Sequence, residues 1–572
     1  MNLGTNFRDI VLQPVMRLLG FRCYFIGKTF EETPHFFKAT ASLFLSIFIP
    51  LSMLPMDSYS ASVTTQRNNN YRTGHNNQEI ILNTSNVNVN SFGKLYTYNL
   101  ANMFPNISPS MMVMETQLLY LPSVNINGTA VKVIFVCTVY NSCFAIDDTH
   151  QTPLWQVTLG SVQPTYTYQN QGVRGTPVID AVSNTLYVVA KTQTYDGNSH
   201  FQLHALDIAT GAEKNNGPVE IQGSVLGTGV GSVNGILTFN PVVHIQRPSL
   251  LLQNGNLYIG FGAYEDDPLG HGWVFSYNAT TLQFNSAVST SPDLSLASIW
   301  QLGNGLAADD NGFIYLFTGN SYDLTSSIGF QDFSESLLKI DTSNNQLKIV
   351  DYFTPSNHQV LNTGDSDLSS SGPLLIPGSP FVVGGGKDGK LFLSNSNRLG
   401  HFNPIVDLVL QEYQITNKFT LNSGADLGIW GGNTYYDSSS AGIRQGIFYI
   451  WSRQDHLKAI NFKNQSFYSI QHFIPPDNSQ HTEGAMLAVS SNGTQPGSTI
   501  LWSMQNSRLD AFDASNISNL LWNSSQNYAR DAACGYVASI RGLPQPPVVA
   551  DGKVYVPTNG NCNVILVYGL LH

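Results

Sequence analysis

The chain has 572 residues, a formal net charge of −11 and only 11% charged residues. It has no basic stripe and no arginine-rich segment, so the electrostatic signature of nucleic-acid binding is missing and we expect no nucleic-acid partner. Glycine, asparagine, serine and threonine are abundant, and aromatic residues reach 11%. Such a composition is typical of many short strands joined by polar turns, so we predict an all-β fold.

The first 62 residues differ from the rest of the chain. Scattered basic residues precede an uncharged apolar run at 39–55, and small residues follow it at 58–62. This order is that of an export signal with a long basic region. A run of about 17 apolar residues is also at the lower limit for spanning a bilayer, so a membrane-retained signal-anchor stays open, as does a misassigned start codon or a buried segment. Either leading case exports the remainder to a secreted, periplasmic or cell-surface location.

A repeat unit then occurs eight times between Val133 and Leu570. Each unit has a β-rich strand, a tight polar turn and a second strand that mostly ends in Asp or Asn. The third positions of the first strands, 52 to 71 residues apart, are Phe135, Tyr187, Tyr258, Tyr315, Val382, Tyr449, Trp502 and Tyr555. The second strands end at Asp147, Asp207, Asn278, Asp341, Asn395, Asn461, Asp513 and Gly569. An Asp or Asn side chain can bond its own backbone and start a turn, and this spacing predicts propeller blades.

The last unit reaches His572 before it can supply an outermost strand of its own. Phe92–Asn99 precedes the first full unit, and pairing it there would close the ring and remove two open sheet edges. We therefore predict an eight-bladed β-propeller at 92–572, closed by an N-terminal strand. A lead-in segment at 63–91 and an export signal or signal-anchor at 1–62 precede it.

Four cysteines follow the predicted signal, and they allow three pairings. The local choice joins Cys137 to Cys143 across the first hairpin and Cys534 to Cys562 at the last blade. A two-residue turn at 140–141 would place Cys137 and Cys143 on opposite faces of the sheet, which argues against the first pair. No cysteine or histidine spacing in the sequence indicates a metal site.

The residue that precedes each innermost strand of a propeller faces the axial channel, where a ligand would bind. The candidates are polar or aromatic: Glu115, Arg174, Arg247, Trp300, Asp367, Trp430, His481, Glu483 and Arg541. The indole rings offer stacking surfaces, and the guanidinium groups suit carboxylates, so an acidic planar cofactor or a sugar acid would fit. The alternative is that these side chains only bond one another and water, and fill the channel.

Two further features concern loops. The glycine-rich run at 384–389 lies between two strands with no helix pattern after it, so we predict a hairpin turn and not a phosphate site. Long insertions at 215–240 and 321–336 are expected to contribute to a binding surface.

The phrases Leu-His-Ala-Leu-Asp at 203–207 and Arg-Leu-Asp-Ala-Phe-Asp at 508–513 match the repeat of pyrroloquinoline-quinone-type propellers. Residues 64–572 also resemble a group of exported proteins with quinoprotein-like repeats, through motifs such as Asn-Tyr-Arg-Thr-Gly at 70–74 and Gly-Val-Arg-Gly-Thr-Pro at 172–177. The resemblance implies an eight-bladed propeller of the quinoprotein alcohol dehydrogenase-like type.

Dehydrogenases that share this repeat typically hold the quinone between a tryptophan floor and a bridge of adjacent cysteines, with calcium on Glu, Asn and Asp. No adjacent cysteines occur in this sequence. We therefore expect a binding or scaffold protein with a polar axial channel, whose partner is an unknown small molecule, saccharide or protein. The alternative is a pyrroloquinoline-quinone- and calcium-dependent oxidoreductase acting on alcohols or sugars, in which Asp367 or Glu483 removes the hydroxyl proton. Membrane contact is expected only through an uncleaved N-terminal segment.

Overall fold

The structure is a computed structural model. It describes residues 61–162, 171–194, 198–302, 304–322, 332–418, 427–440, 442–474, 484–505, 508–532, 545–559 and 562–571. The chain divides into a unit Met1–Tyr59, which lies outside the described residues, and a unit Ser60–His572. The predicted export segment and its apolar run at 39–55 therefore stay predictions. Within the described ranges, no helix is long and apolar enough to cross a membrane.

The repeats form antiparallel sheets of four strands, ordered in each blade from the axis outwards. Blade 1 has Leu119–Ile126, Thr129–Cys137, Ser142–Asp147 and Thr152–Thr158. Blade 2 has Val178–Asp180, Thr185–Gln193, Ser199–Asp207 and Val219–Glu220. Blade 3 has an interrupted innermost strand, so its strands are His244–Ile245 with Leu251–Gln253, then Asn256–Ala263, Trp273–Asn278 and Phe284–Ser289. Blade 4 has Ala307–Ala308, Ile314–Phe317, Leu337–Asp341 and Lys348–Thr354, with His401–Phe402 added outside.

The second half of the ring repeats this plan. Blade 5 has Leu374–Leu375, Phe381–Gly385, Lys390–Asn395 and Gln411–Gln414. Blade 6 has Thr434–Asp437, Gln445–Ile450, Leu457–Lys463 and Ser466–Phe473. Blade 7 has Met486–Ser490, Ile500–Gln505, Arg508–Asp513 and Leu520–Asn523, with His75–Asn76 on its axial side. Blade 8 has Val548–Ala550, Lys553–Pro557, Val564–Leu570 and Phe92–Asn99.

Little else is regular. Short helical turns occur at Leu100–Met103, Pro109–Met111, Tyr264–Asp266, Ser343–Asn345, His358–Thr363, Leu368–Ser370 and Tyr528–Asp531. A small separate hairpin pairs Ser224–Leu226 with Ile236–Thr238 inside the insertion at 215–240. The prediction of an all-β, eight-bladed propeller is confirmed.

The N-terminal strand closes the ring as predicted. Phe92–Asn99 pairs antiparallel with Val564–Leu570, from Phe92 opposite Leu570 to Asn99 opposite Val564. Apolar side chains of blade 8, including Tyr555 and Val567, share one buried core with strands of blade 1. The first and last blades are therefore joined both by a hydrogen-bonded ladder and by apolar packing.

The repeated Asp and Asn residues start turns. The side-chain oxygen accepts hydrogen bonds from backbone amides two or three residues later at Asp147, Asp207, Asn278, Asp341, Asn395 and Asp513. The sixth unit differs from the prediction, because its second strand continues past Asn461 to Lys463 and turns at Asn464, whose φ is 59°. The side-chain amide of Asn461 instead donates to Ser469 Oγ at 2.9 Å.

Three of the repeated tyrosines, Tyr187, Tyr449 and Tyr555, donate to a turn of the next blade. The hydroxyl of Tyr449 in blade 6 donates to the carbonyl oxygen of Ala514 in blade 7 at 2.6 Å. The hydroxyl of Tyr555 in blade 8 donates to Asp148 of blade 1 at 2.7 Å. A buried hydroxyl needs such a partner, so the two recurring features of the repeat unit meet across the interface between blades.

Residues 63–79, which we call the axial segment, run along the innermost strands of all eight blades. Its hydrogen bonds, 2.8 to 2.9 Å long, join Val63 to Tyr120, Thr64 to Ile179, Asn70 to Leu252 and Ala308, Tyr71 to Leu375, Thr73 to Tyr435, Gly74 to Val489, and Asn76 to Val549. In six blades the donor is a backbone amide of the innermost strand. Gly74 has φ +67°, and a Cβ there would lie 2.6 Å from Thr434 Oγ1. No pattern in the sequence indicated that the lead-in segment occupies the axis.

Cys137 and Cys143 form a disulfide. The two residues are direct cross-strand partners, because the hairpin turns through three residues and Thr138 still pairs with Ser142. The objection based on a two-residue turn was therefore wrong. Cys534 lies outside the described residues, and Cys562 has no disulfide partner within them, so the second pairing stays a prediction.

We expect Phe92→Ala to lower the free energy of unfolding by about 3–5 kcal/mol, the usual cost of deleting a buried phenylalanine ring. Phe92 is fully buried, and its ring centroid lies 5.5 Å from that of Trp502 and 5.0 Å from that of Trp522. Thr97→Ala, at an exposed position of the same strand, is the control and should change stability little. Urea unfolding of the three proteins measures this, and equal midpoints for Phe92→Ala and the parent would contradict closure by this strand.

Candidate functional site

Six of the predicted channel residues lie where the sequence placed them, just before the innermost strands of blades 1 to 6. They are Glu115, Arg174, Arg247, Trp300, Asp367 and Trp430. His481, Glu483 and Arg541, expected before the innermost strands of blades 7 and 8, lie outside the described residues. Ion pairs, ring contacts and electrostatic interactions connect the six described residues to one another through a few neighbours that the sequence did not single out.

Glu115 and Arg174 form a buried ion pair. Arg174 Nη2 lies 2.8 Å from Glu115 Oε2, and Arg174 is 1% exposed and Glu115 7% exposed. The backbone carbonyl of Glu115 also accepts a hydrogen bond from the Gln545 side chain. Because a buried carboxylate already balances the charge of Arg174, this guanidinium is less suited to bind a carboxylate of a ligand than the sequence implied.

Arg247 lies over the face of Trp300. Its guanidinium carbon is 5.1 Å from the indole centroid, within the range of a cation–π interaction. Burial, and then the charge of Arg174, lower the pKa of Arg247 to about 10. Its Nε is buried and has no hydrogen-bond partner. Both side chains are only half-buried as a whole, so this pair retains accessible surface.

Lys387 joins Asp367 to Trp430. Its Nζ lies 2.5 Å from Asp367 Oδ2, 2.8 Å from Asp365 Oδ1 and 5.3 Å from the centroid of Trp430. Burial by itself lowers the pKa of Lys387, but the two carboxylates outweigh it and raise that pKa above its ordinary value. The lysine is therefore charged, and Asp367 has one oxygen on Lys387 while the other accepts from the amide of Asn320 at 3.1 Å.

Two further carboxyl groups complete the site. Glu335 is fully buried; its Oε2 accepts from the amide of Leu368 at 2.6 Å, and its Oε1 has no partner. Burial, and then the charge of Asp367, raise the pKa of Glu335 well above its ordinary value. The same two causes raise the pKa of Asp266 to about 7, and Asp266 Oδ1 is also buried without a partner.

These residues form what we call the channel cluster: Glu115, Arg174, Arg247, Asp266, Trp300, Glu335, Asp365, Asp367, Lys387 and Trp430. Among these described residues, five carboxyl groups face three cationic groups. Three of the carboxyl residues, Asp266, Glu335 and Asp365, have φ between 46° and 52°. Such backbone conformations cost on the order of 1–3 kcal/mol each and tend to persist at functional sites.

The sequence missed Lys387, Asp266, Glu335 and Asp365 for different reasons. The run at 384–389 is a turn between Phe381–Gly385 and Lys390–Asn395, as predicted, but the lysine of that turn reaches the channel. Glu335 lies within the insertion at 321–336, which was expected to add binding surface. The insertion at 215–240 pairs with the segment after blade 3, where Val230 N donates to Leu294 O at 2.9 Å, and its contribution to a binding surface stays a prediction.

The channel cluster does not fit pyrroloquinoline quinone, an acidic planar cofactor. The carboxyl groups outnumber the cations, and the Arg174 and Lys387 charges are already paired with Glu115, Asp365 and Asp367. Burial is the main cause of the raised pKa values of Glu335 and Asp266, and the charge of Asp367 adds to it, so a further anion beside these carboxyl groups would be unfavourable. Within the described ranges, no group of three His, Cys, Asp or Glu side chains could hold a metal ion.

The chain is similar in structure to quinoprotein dehydrogenases. A quinohemoprotein alcohol dehydrogenase of Pseudomonas putida HK5 superposes with a TM-score of 0.55 at 13% identity, covering 89% of this chain and 80% of that one. The quinohemoprotein alcohol dehydrogenase of Comamonas testosteroni superposes with a TM-score of 0.53 at 13% sequence identity, and the match again covers 89% of this chain and 80% of that one. A europium-containing methanol dehydrogenase superposes with a TM-score of 0.53 at 11% sequence identity, and the match covers 89% of this chain and 98% of that one. No protein-family model and no curated protein matches the chain. The likeness shows a quinoprotein-like eight-bladed propeller and, at these identities, the fold alone.

We expect Glu335→Gln to change how stability depends on pH. Because the pKa of Glu335 is raised in the folded state, its protonation stabilises the fold fully below the unfolded pKa of 4.5, and this contribution is lost as pH rises through the folded pKa. The glutamine can still accept from Leu368. Relative to the parent, the variant should therefore gain stability as the pH rises above the unfolded pKa of 4.5 and keep this gain at higher pH, by about 1.4 kcal/mol for each unit by which folding raises the pKa.

Urea unfolding at several pH values measures this difference. Glu265→Gln is the control, since Glu265 is an exposed carboxyl beside Asp266, and its profile should follow that of the parent. A constant offset between Glu335→Gln and the parent at every pH would show that Glu335 has the same pKa in the folded and unfolded states.

Proposed function

We propose that this protein is an exported β-propeller binding protein whose channel cluster binds a small saccharide, either neutral or carrying an amino group. The observation that supports this most directly is that one cluster contains both half-buried indole rings and buried carboxyl oxygens without a hydrogen-bond partner among the described residues. Trp300 and Trp430 supply the rings, and Glu335 and Asp266 supply the oxygens.

Unsatisfied acceptors define what the ligand must offer. Glu335 Oε1 and Asp266 Oδ1 are buried and lack hydrogen-bond donors, and a buried polar atom left unpaired costs free energy. A sugar hydroxyl would donate to either carboxyl oxygen when it is ionised or accept from it when it is protonated, and an ammonium group would favour the ionised form. An ammonium group would also offset the excess of carboxyl groups, whereas a uronic acid would add to it.

The tryptophans suit the apolar faces of a sugar ring. Trp430 is held in place by a hydrogen bond from its indole Nε1 to the carbonyl oxygen of Leu427 at 2.7 Å, and it packs on Leu302. Trp300 is positioned by its contact with Arg247. Aromatic rings fixed in this way provide contact surface without a large loss of side-chain entropy on binding.

Export is part of the proposal and rests on two features. The first is the basic, then apolar, segment within residues 1–62. The second is the Cys137–Cys143 disulfide, because disulfides persist in oxidising compartments and are rare in the cytosol.

The alternative is a quinone-dependent oxidoreductase acting on alcohols or sugars, and the shared fold favours it. The acidic excess of the channel cluster weighs against it. So does Asp367, one of the two residues expected to act as base, since both of its carboxylate oxygens already have partners. Fold alone does not transfer an activity.

Titration calorimetry and tryptophan fluorescence of the purified protein test the proposal. We expect neutral sugars or amino sugars to bind and uronic acids to bind at least about tenfold more weakly, which corresponds to about 1.4 kcal/mol. Trp430→Ala should weaken binding by a similar factor. Tyr468→Ala, which removes an aromatic ring 63% exposed on the outermost strand of blade 6, is the control and should bind like the parent.

Two outcomes would contradict the proposal. Preferential binding of uronic acids or of the quinone would refute the argument from charge. Reduction of an electron-accepting dye by sugars or alcohols, in the presence of quinone and calcium, would establish the oxidoreductase in its place.

A further inference from the structure

We infer that the axial segment holds a small inorganic anion, of the size of chloride, against the guanidinium group of Arg67. This site shares no residue with the channel cluster and does not depend on the function proposed for it. The observation behind it is a pair of buried arginines, Arg67 and Arg72, each 1% exposed, that lie five residues apart in the segment that lines the ring axis.

Each guanidinium nitrogen of Arg72 donates to at least one neutral oxygen atom. Its guanidinium donates to Leu306 O, Thr65 Oγ1 and Gln66 O at 2.8 Å, and to Leu250 O at 3.2 Å. These partners come from blades 3 and 4 and from the axial segment itself. Arg72 therefore has a structural role that needs no further ligand, although its positive charge is not neutralised by these carbonyl groups.

Arg67, unlike Arg72, has guanidinium nitrogens that donate no hydrogen bond to the described residues. Its Nη1 donates to the carbonyl oxygen of Leu487 at 2.6 Å, and its backbone amide donates to Gln117 Oε1 at 3.0 Å. Its Nε and Nη2 are buried and have no hydrogen-bond partner. In a guanidinium group, Nε and one terminal nitrogen form a fork that can hold one acceptor between them.

The charge of the pair is also uncompensated. The pKa of Arg67 is lowered to about 9 by burial, and that of Arg72 is lowered to about 9 by burial and by the charge of Arg67. No carboxylate contributes to either shift or pairs with either side chain in the part of the chain that the structure describes. Two like charges are thus buried together with no counter-ion among the described residues, an arrangement that proteins avoid unless something pairs with them.

An anion would both accept hydrogen bonds from the free donors of Arg67 and neutralise positive charge, whereas water would only accept the hydrogen bonds. A water molecule would accept from Nε or Nη2 but would leave two positive charges buried. A monatomic anion needs less room than an organic carboxylate beside a guanidinium that is only 1% exposed and enclosed by the axial segment and Leu487. Between Nε and Nη2 it would neutralise one charge and tie the axial segment more firmly to blade 7.

The prediction is that chloride stabilises the protein specifically. At constant ionic strength, we expect the melting temperature of the full chain to rise in a saturating manner as chloride replaces gluconate, an anion too large for the site. Bromide should act similarly and should give an anomalous scattering peak beside the Arg67 guanidinium in crystals grown with it. Arg67→Gln should lose the difference between the salts. Arg398→Gln, at an exposed arginine, should keep it.

The inference fails if chloride and gluconate give the same melting curves for the parent, or if Arg67→Gln retains the difference. If Arg67→Gln does not fold, the crystallographic arm decides: a water molecule at the fork, with no anomalous peak from bromide, overturns the proposal. Sugar binding by the channel cluster is measured independently, so failure of either proposal leaves the other testable.

Discussion

The ring depends on hydrogen bonds to the backbone groups of the innermost strands along its axis. The innermost strand of every blade has one edge with no neighbouring blade strand, and unpaired amides there would be buried. The axial segment, residues 63–79, supplies carbonyl groups to these edges in six blades and contacts all eight. A segment that arrives before the first blade in the chain thus joins blades that are far apart in sequence, and Phe92–Asn99 then completes the last sheet.

Contacts between neighbouring blades follow from the repeat unit itself. The Asp and Asn turns present backbone carbonyls or a carboxylate at the rim of a blade, and a tyrosine hydroxyl of the preceding blade can donate to them, as Tyr449 does to Ala514. The final member of this series, Tyr555, donates to Asp148 of blade 1. The interaction that joins blade 6 to blade 7 therefore also joins the last blade to the first.

The channel cluster and the axial segment have opposite charge imbalances. The channel cluster has more carboxyl groups than cations, whereas Arg67 and Arg72 of the axial segment are cations without carboxylate partners among the described residues. Each imbalance is maintained by burial, which prevents water from screening it. Both arrangements lower the stability of the fold. In the channel cluster, Asp266, Glu335 and Asp365 have a left-handed backbone conformation. In the axial segment, Arg67 has buried donors without partners among the described residues. Under the two proposals, a neutral or positively charged ligand would bind the channel cluster, and a small anion would bind the axial segment.

Local periodicity and turn chemistry were sufficient to predict the number of blades, the closing strand, most turns and the positions of six channel residues. The course of the axial segment and the arrival of Lys387 and Glu335 in the channel cluster became visible only in the folded ring. The same holds for the three-residue turn that makes Cys137 and Cys143 direct partners. The first two features depend on contacts between segments separated by tens to hundreds of residues, and on charges whose pairing is fixed only when the ring has closed. A repeat pattern encodes its own hydrogen-bond ladder, but it does not encode what fills the axis.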